Sequence, residues 1–130
     1  MPSFAQRPSA EPPIHISRYA NRATFERRYA SGMADAHVLL CCLLWATPGQ
    51  ETGLRQYEDR VLALLPEHRG TVLQRAHSDG SDGRPNEVQL YWFEDHDAFQ
   101  DYLDDPRRVA LAEERDRVID RADLFPVSLL

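Results

Sequence analysis

With 130 residues and an apolar content of 42%, the chain is long enough to bury one hydrophobic core and has the composition of a globular domain. The net charge of −6 argues against binding to nucleic acid or to an anionic membrane surface. The longest apolar run, residues 38–46, is too short to cross a bilayer.

Residues 1–36 differ from the rest of the chain and are interpreted as a partly disordered N-terminal extension. Four prolines fall within residues 1–14, and the apolar residues that follow form a broken stripe. Met33 lies just before the folded body, so two interpretations stay open. Either translation starts naturally at Met33, or the segment is an amphipathic arm that docks on a partner subunit. Residues 37–130 form the predicted domain.

The first predicted strand, residues 37–46, is apolar on both faces, which is typical of a strand that is covered on both sides. Cys41 and Cys42 are neighbours in this strand and therefore point to opposite faces. They are poorly placed to form a disulfide or to share a metal ion. Two free cysteines in a buried strand suit a reducing compartment, and a cytoplasmic location is expected.

A helix is predicted from Pro48 to about Leu65. Thr47 is the expected N-cap, Pro48 fits the first helical position, and Gln50 would complete a capping box. One apolar stripe follows at helical spacing, formed by Leu54, Tyr57, Val61, Leu62 and Leu65.

The second half of the chain predicts three more strands and further helices. A strand over residues 70–77 and a turn-rich loop over 78–86 precede a strand over 87–93, which carries large apolar groups on both faces. Asp105 is the expected N-cap of a helix over residues 106–120, with Pro106 at its first position. The last strand is predicted over 124–130, at an edge or with a bulge, because Pro126 has no N–H to donate.

This order of elements predicts a ferredoxin-like β-α-β-β-α-β fold of the α+β class. One four-stranded antiparallel sheet would carry the helices on one face. The helices cover only that face, yet the strands are apolar on both. A homodimer that stacks sheet on sheet would bury the second face, so the sheet face is the expected dimer interface.

Two stretches carry a resemblance to a known family. One is residues 47–51, TPGQE, after the first strand, and the other is residues 91–106, which combine aromatic and acidic residues with an F-x-x-Y-L spacing. On these motifs the body from His37 to Leu130 resembles the dimeric α+β barrel superfamily, in particular antibiotic-biosynthesis-monooxygenase-like proteins and related small families of unknown function. The resemblance implies a pocket between sheet and helices with aromatic and arginine side chains. The candidates in this chain are Trp45, Tyr57, Arg75, Tyr91 and Trp92.

Candidate catalytic residues are few. His37 and His77 are considered as acid or base because histidine titrates near neutral pH. The region that matches the haem-binding helix of some relatives, residues 109–113, has no histidine, and no zinc spacing or phosphate loop is present. No cofactor or metal is therefore expected.

Two functions stay open, and whether the chain is an enzyme is not decided by its sequence. The first is a small dimeric barrel protein that binds a small apolar or aromatic molecule or acts as an accessory protein. The second is a cofactor-independent monooxygenase, isomerase or cyclase acting on an aromatic polyketide-like substrate. The first is favoured because the first strand carries no polar residue after His37.

Overall fold

The structure is a computed structural model that describes residues 37–130, which hold four strands and four α-helices. Two short 3₁₀ turns, Leu65–His68 and Ser81–Gly83, lie on either side of the second strand. The elements in chain order are β1 Val38–Ala46, α1 Glu51–Leu62, β2 Gly70–His77, β3 Glu87–Phe93, α2 His96–Leu103, α3 Pro106–Val109, α4 Ala112–Val118 and β4 Ile119–Pro126.

The four strands form one antiparallel sheet in the order β2-β3-β1-β4. β1 and β3 are the two central strands, and Leu40 of β1 lies opposite Tyr91 of β3. The predicted ferredoxin-like fold is therefore confirmed. β4 is an edge strand. Pro126, which has no N–H to donate, is tolerated in an edge strand because one side of that strand has no neighbour to pair with.

The helices pack on one face of this sheet and close the hydrophobic core there. Alternate residues of β1, from Val38 to Leu44, point into the core, whereas their neighbours on the strand are half-buried. The apolar stripe predicted for α1 is buried as expected. Phe93 lies at the centre of an aromatic cluster with Tyr91, Phe99 and Tyr102.

The second face of the sheet is also apolar. On the two central strands its side chains are half-buried, and the register of β1 against β3 aligns them in one patch. The members of this patch are Leu39, Cys41, Leu43, Trp45, Val88, Leu90 and Trp92.

The capping box predicted for α1 is wrong. The helix begins at Glu51, and its N-cap is Gln50, which makes no side-chain cap hydrogen bond. Instead, the Gln50 N–H donates to the carbonyl of Thr47 over 2.8 Å, and Gly49 has a φ of 84°. Pro48 and Gly49 thus form the two central positions of a tight turn before the helix, so Thr47 is too far upstream to cap it.

The element boundaries in the second half are only partly as predicted. Asp105 is the N-cap of α3, as expected, and accepts from the Arg107 N–H over 2.8 Å. The single helix predicted over residues 106–120 is instead two short helices, α3 and α4. β4 begins at Ile119 rather than at Leu124, because Ile119 and Ala122 pair with the end of β1 and are buried there.

The interpretations made for residues 1–36 lie outside the described residues. Among residues 37–130, no helix is long and apolar enough to cross a membrane.

Candidate functional site

A cavity of about 50 Å³ lies between the sheet and the helices. Strands β1, β3 and β4 form its floor, and side chains of all four helices form its walls. Most of its lining is apolar or aromatic, but it also includes the polar residues Glu58, Gln89, Arg108 and Arg115. The cavity therefore brings buried polar groups next to open space.

Glu58 is the buried carboxylate of this cavity. It lies on α1 directly after Tyr57, and the residue is 6% exposed. Gln89, on the facing strand β3, donates from Nε2 to Glu58 Oε1 over 2.9 Å and to Glu87 Oε2 over 3.0 Å. The amide thus holds two carboxylates side by side beneath the helix layer.

The environment of Glu58 moves its titration to neutral pH. Burial raises the pKa of Glu58 and is the largest effect, the hydrogen bond from Gln89 lowers it, and the neighbouring Glu87 raises it. The charges of Arg108 and Arg75 have smaller effects and lower it, and the resulting pKa is about 7. Near neutral pH this carboxylate therefore exists in both forms, as suits a group that takes up or releases a proton.

The second carboxylate, Glu87, is neutralised by an arginine. Arg75 of β2 donates to both Glu87 oxygens and, from Nη1, to Asp59 Oδ1 over 2.7 Å. Within this group of three acids Glu58 is the one without a direct arginine partner, and it is also the one that lines the cavity.

Two hydrogen-bond donors at the cavity have no acceptor within the described residues. They are the hydroxyl of Tyr57, a residue that is 1% exposed, and Nε of Arg108. The Arg108 guanidinium lies over the ring of Tyr102, 5.0 Å from its centroid. Burial raises the pKa of Tyr57 to about 12, so its hydroxyl keeps its proton and remains a donor. Unsatisfied buried donors are rare in folded proteins and call for an explanation.

Two further polar side chains of the cavity, Cys42 and Tyr91, are neutral. Burial raises the pKa of the Cys42 thiol well above its ordinary value, and the neighbouring Glu58 adds to this effect. Burial likewise raises the pKa of the Tyr91 hydroxyl. Cys42 is therefore a protonated thiol with little nucleophilic character.

The structure places the predicted site residues in different regions. Tyr57 and Tyr91 line the cavity, whereas Arg75 reaches it through Glu87 and Gln89. Trp45 and Trp92 lie on the face of the sheet away from the cavity, because side chains alternate between the faces along β1 and β3.

The two candidate histidines are exposed and do not line the cavity. The ring of His37 contacts that of Trp92 with 4.8 Å between the centroids and an angle of 52° between the planes. Its Nδ1 is 3.0 Å from the carbonyl oxygen of Glu94. His77 ends β2 opposite Glu87.

Sequence reasoning did not find Glu58, Gln89 or Arg108. A signal existed for Glu58, because it lies four residues after Leu54 and three before Val61, on the stripe that faces the core. Gln89 likewise alternates in register with the inward residues Tyr91 and Phe93 of β3. Within residues 37–130, no group of three or more His, Cys, Asp or Glu side chains is placed to hold a metal ion.

No family model and no curated protein matches the sequence. Several solved structures are similar in fold. A protein of unknown function from Rhodopseudomonas palustris has a TM-score of 0.67 at 12% identity, over 82% of this chain and 92% of its own. A protein assigned as an antibiotic biosynthesis monooxygenase, from Bacteroides thetaiotaomicron, has a TM-score of 0.60 at 15% identity. The match covers 75% of this chain and 92% of that protein.

A third similar structure is SnoaB, a cofactor-independent oxygenase from Streptomyces nogalater, with a TM-score of 0.55 at 18% identity over 72% of this chain and 95% of its own. At these identities the likeness concerns the fold and not the activity. The chain therefore shares with these solved structures the ferredoxin-like α+β fold of one four-stranded antiparallel sheet with its helices.

Proposed function

We propose that this protein binds a small molecule in the cavity between sheet and helices, through a carbonyl or carboxylate oxygen. The observation that carries this proposal is the pair of unsatisfied donors, the Tyr57 hydroxyl and Arg108 Nε, at the same cavity. An oxygen acceptor seated there would satisfy both donors. The apolar remainder of the lining suits a ligand whose other atoms are carbon.

The size of the cavity limits the ligand. At about 50 Å³ it accepts a head group of a few atoms, whereas pockets for drug-sized ligands measure roughly 300–1,000 Å³. A polycyclic substrate does not fit this volume. The alternative, a cofactor-independent monooxygenase, isomerase or cyclase acting on a polyketide-like aromatic, is for this reason the less favoured function.

Binding can be tested with 2-oxobutyrate, butyrate and the uncharged 1-butanol, by ligand-observed NMR and calorimetry. We expect both acids to bind and 1-butanol to bind about tenfold more weakly, because a charged acceptor makes the stronger hydrogen bonds. Tyr57→Phe should weaken binding of the acids about tenfold, because it removes one hydrogen bond between the protein and the ligand.

The matched control is Tyr91→Phe, the same change in the same cavity, because the Tyr91 hydroxyl is not one of the buried donors left without an acceptor. It should alter the affinity less than Tyr57→Phe does. Absence of binding for all three compounds, or equal affinities in wild type and Tyr57→Phe, would contradict the proposal.

We further propose that a second copy of the chain covers the apolar face of the sheet and forms a homodimer. The patch on β1 and β3 defined above supports this arrangement, because two sheets packed face to face bury such side chains. Phe125 of β4 is 37% exposed and extends the patch beside Cys41. Contiguous apolar surface of this kind marks interaction sites in soluble proteins.

Leu90→Asp should convert the dimer to a monomer, because it introduces a charge at the middle of the proposed interface. Light scattering after size-exclusion chromatography of the full chain measures the mass. Val109→Asp is the control, since Val109 is exposed on α3 and lies on the helix layer. A monomeric wild-type chain, or a dimeric Leu90→Asp variant, would refute the proposed interface.

We infer a reducing compartment such as the cytoplasm for this chain. Cys41 and Cys42 are free thiols, and their positions on opposite faces of β1 keep them from pairing with each other. Free, unpaired cysteines of this kind are usual where thiols are kept reduced.

A further inference from the structure

One acceptor and two donors meet at the cavity. The acceptor is the Glu58 carboxylate, and the donors are the Tyr57 hydroxyl and Arg108 Nε. Gln89 occupies Oε1 of Glu58, and no hydrogen bond within residues 37–130 engages its Oε2. A base placed beside donors that stabilise an oxyanion is the arrangement that proton abstraction next to a carbonyl requires.

We propose that the cavity catalyses proton transfer at a carbon next to the carbonyl of a small oxo acid or ketone, with Glu58 as the base. This inference rests on the proposed function, since such a molecule must first bind through its oxygen.

The step is balanced without a co-reactant. Glu58 takes the proton, the C–H electron pair forms a carbon–carbon double bond, and the carbonyl π pair moves to oxygen. The oxyanion accepts hydrogen bonds from Tyr57 and Arg108. The Glu58 carboxyl proton exchanges with water, and Glu58 then delivers a solvent-derived proton to the same carbon, which gives isotope exchange. In an unsaturated substrate, delivery of the proton to a conjugated carbon gives an isomer.

The surroundings of Glu58 suit a base that works at neutral pH. Glu87 of β3, Arg108 of α3 and Arg75 of β2 act on the pKa of Glu58. The other titratable lining groups of the elements packed against it are Cys42 of β1, Tyr91 of β3, Tyr102 of α2 and Arg115 of α4, whereas the lining residues of β4 are apolar. Burial, which raises the pKa of Glu58, is the largest effect, and the result is a pKa of about 7. A base with this pKa is half ionised at neutral pH and still strong enough to take a proton.

The cavity offers no better candidate for the reacting group. Cys42 is a protonated thiol because burial raises its pKa, and the phenol of Tyr57 stays protonated for the same reason. Arginine does not lose its proton in proteins, so Arg108 serves as a donor and as a positive charge. Glu58 is thus the group of this cavity that can accept a proton at neutral pH.

The experiment measures deuterium incorporation at C3 of 2-oxobutyrate in D₂O by proton NMR. The full wild-type chain should accelerate exchange about 1,000-fold over buffer. The rate should rise with pH and level off above about 7, because the ionised form of Glu58 is the base. Glu58→Gln should return the rate to that of buffer while 2-oxobutyrate still binds. Tyr57→Phe should lower the rate by roughly 100-fold.

Glu51→Gln is the matched control, because Glu51 is exposed on the same helix, and its rate should equal that of wild type. Thermal unfolding of each variant shows whether it is folded. If Glu58→Gln does not fold, the rate of Tyr57→Phe provides the second test. Binding of 2-oxobutyrate without accelerated exchange, or an unchanged rate in Glu58→Gln, overturns this inference and leaves the proposed function standing. Absence of binding overturns both.

Discussion

Glu58→Gln is expected to stabilise the fold by on the order of 3 kcal/mol at pH 8 and to change its stability little at pH 4. The pKa of Glu58 is raised from 4.5 to about 7, chiefly by burial. Each pKa unit corresponds to about 1.4 kcal/mol, which gives the expected size of the effect. The amide is neutral at both pH values and keeps an oxygen that accepts from Gln89.

The sign of this effect follows from proton linkage. Because the folded pKa of Glu58 is the higher one, the folded state binds more protons than the unfolded state between pH 4.5 and about 7. The stability contributed by protonated Glu58 is therefore fully present below pH 4.5 and is lost as the pH rises to 7. Wild type should lose stability over this interval relative to Glu58→Gln.

Urea unfolding of both proteins at pH 4, 6 and 8 measures the difference directly. Glu51→Gln is again the control, because an exposed carboxylate has no burial cost to remove. A Glu58→Gln variant that is less stable than wild type at pH 8 would show that the cavity favours the ionised carboxylate.

Phe93→Ala is expected to destabilise the protein by about 4 kcal/mol. The side chain is fully buried, and its ring lies between 5.3 and 5.8 Å from those of Tyr91, Phe99 and Tyr102. Gly70 lies opposite it on β2, where an added Cβ would come within 2.6 Å of the Phe93 ring. Packing this close leaves an empty cavity when the ring is removed.

Chemical denaturation measures this loss, with Phe93→Leu and Val109→Ala as graded controls. Phe93→Leu keeps most of the buried area and should cost less than half as much. Val109 is 56% exposed, and its truncation should change stability by less than about 0.5 kcal/mol. A loss below about 2 kcal/mol for Phe93→Ala would contradict a central role for the aromatic cluster.

The fold was predictable from the sequence because it follows from local patterns. Two-faced apolar strands at 38–46 and 87–93 predict the two central strands of the sheet, and the stripe of α1 predicts the face that it buries. The Asp105-Pro106 pair likewise predicts the start of α3. These signals depend on neighbours in the chain, and the sequence displays them directly.

Boundaries were predicted less well where a tertiary contact decides them. β4 begins five residues earlier than expected because Ile119 pairs with Ala46, at the far end of β1. The start of α1 is shifted because Pro48 and Gly49 form a turn before the helix. The same residues also fit the sequence pattern of a capping box, so the sequence did not distinguish the two.

The sequence by itself therefore determined the succession of the four strands and of the helical regions between them, the antiparallel sheet and the apolar character of both of its faces. Only the tertiary structure decided which polar residues meet. Glu58, Gln89 and Arg108 lie on α1, β3 and α3, up to 50 positions apart, and they share a cavity because the helix layer closes over β3. The physical reason is that periodicity records which face a residue occupies, whereas burial and the pKa of Glu58 depend on what packs against that face.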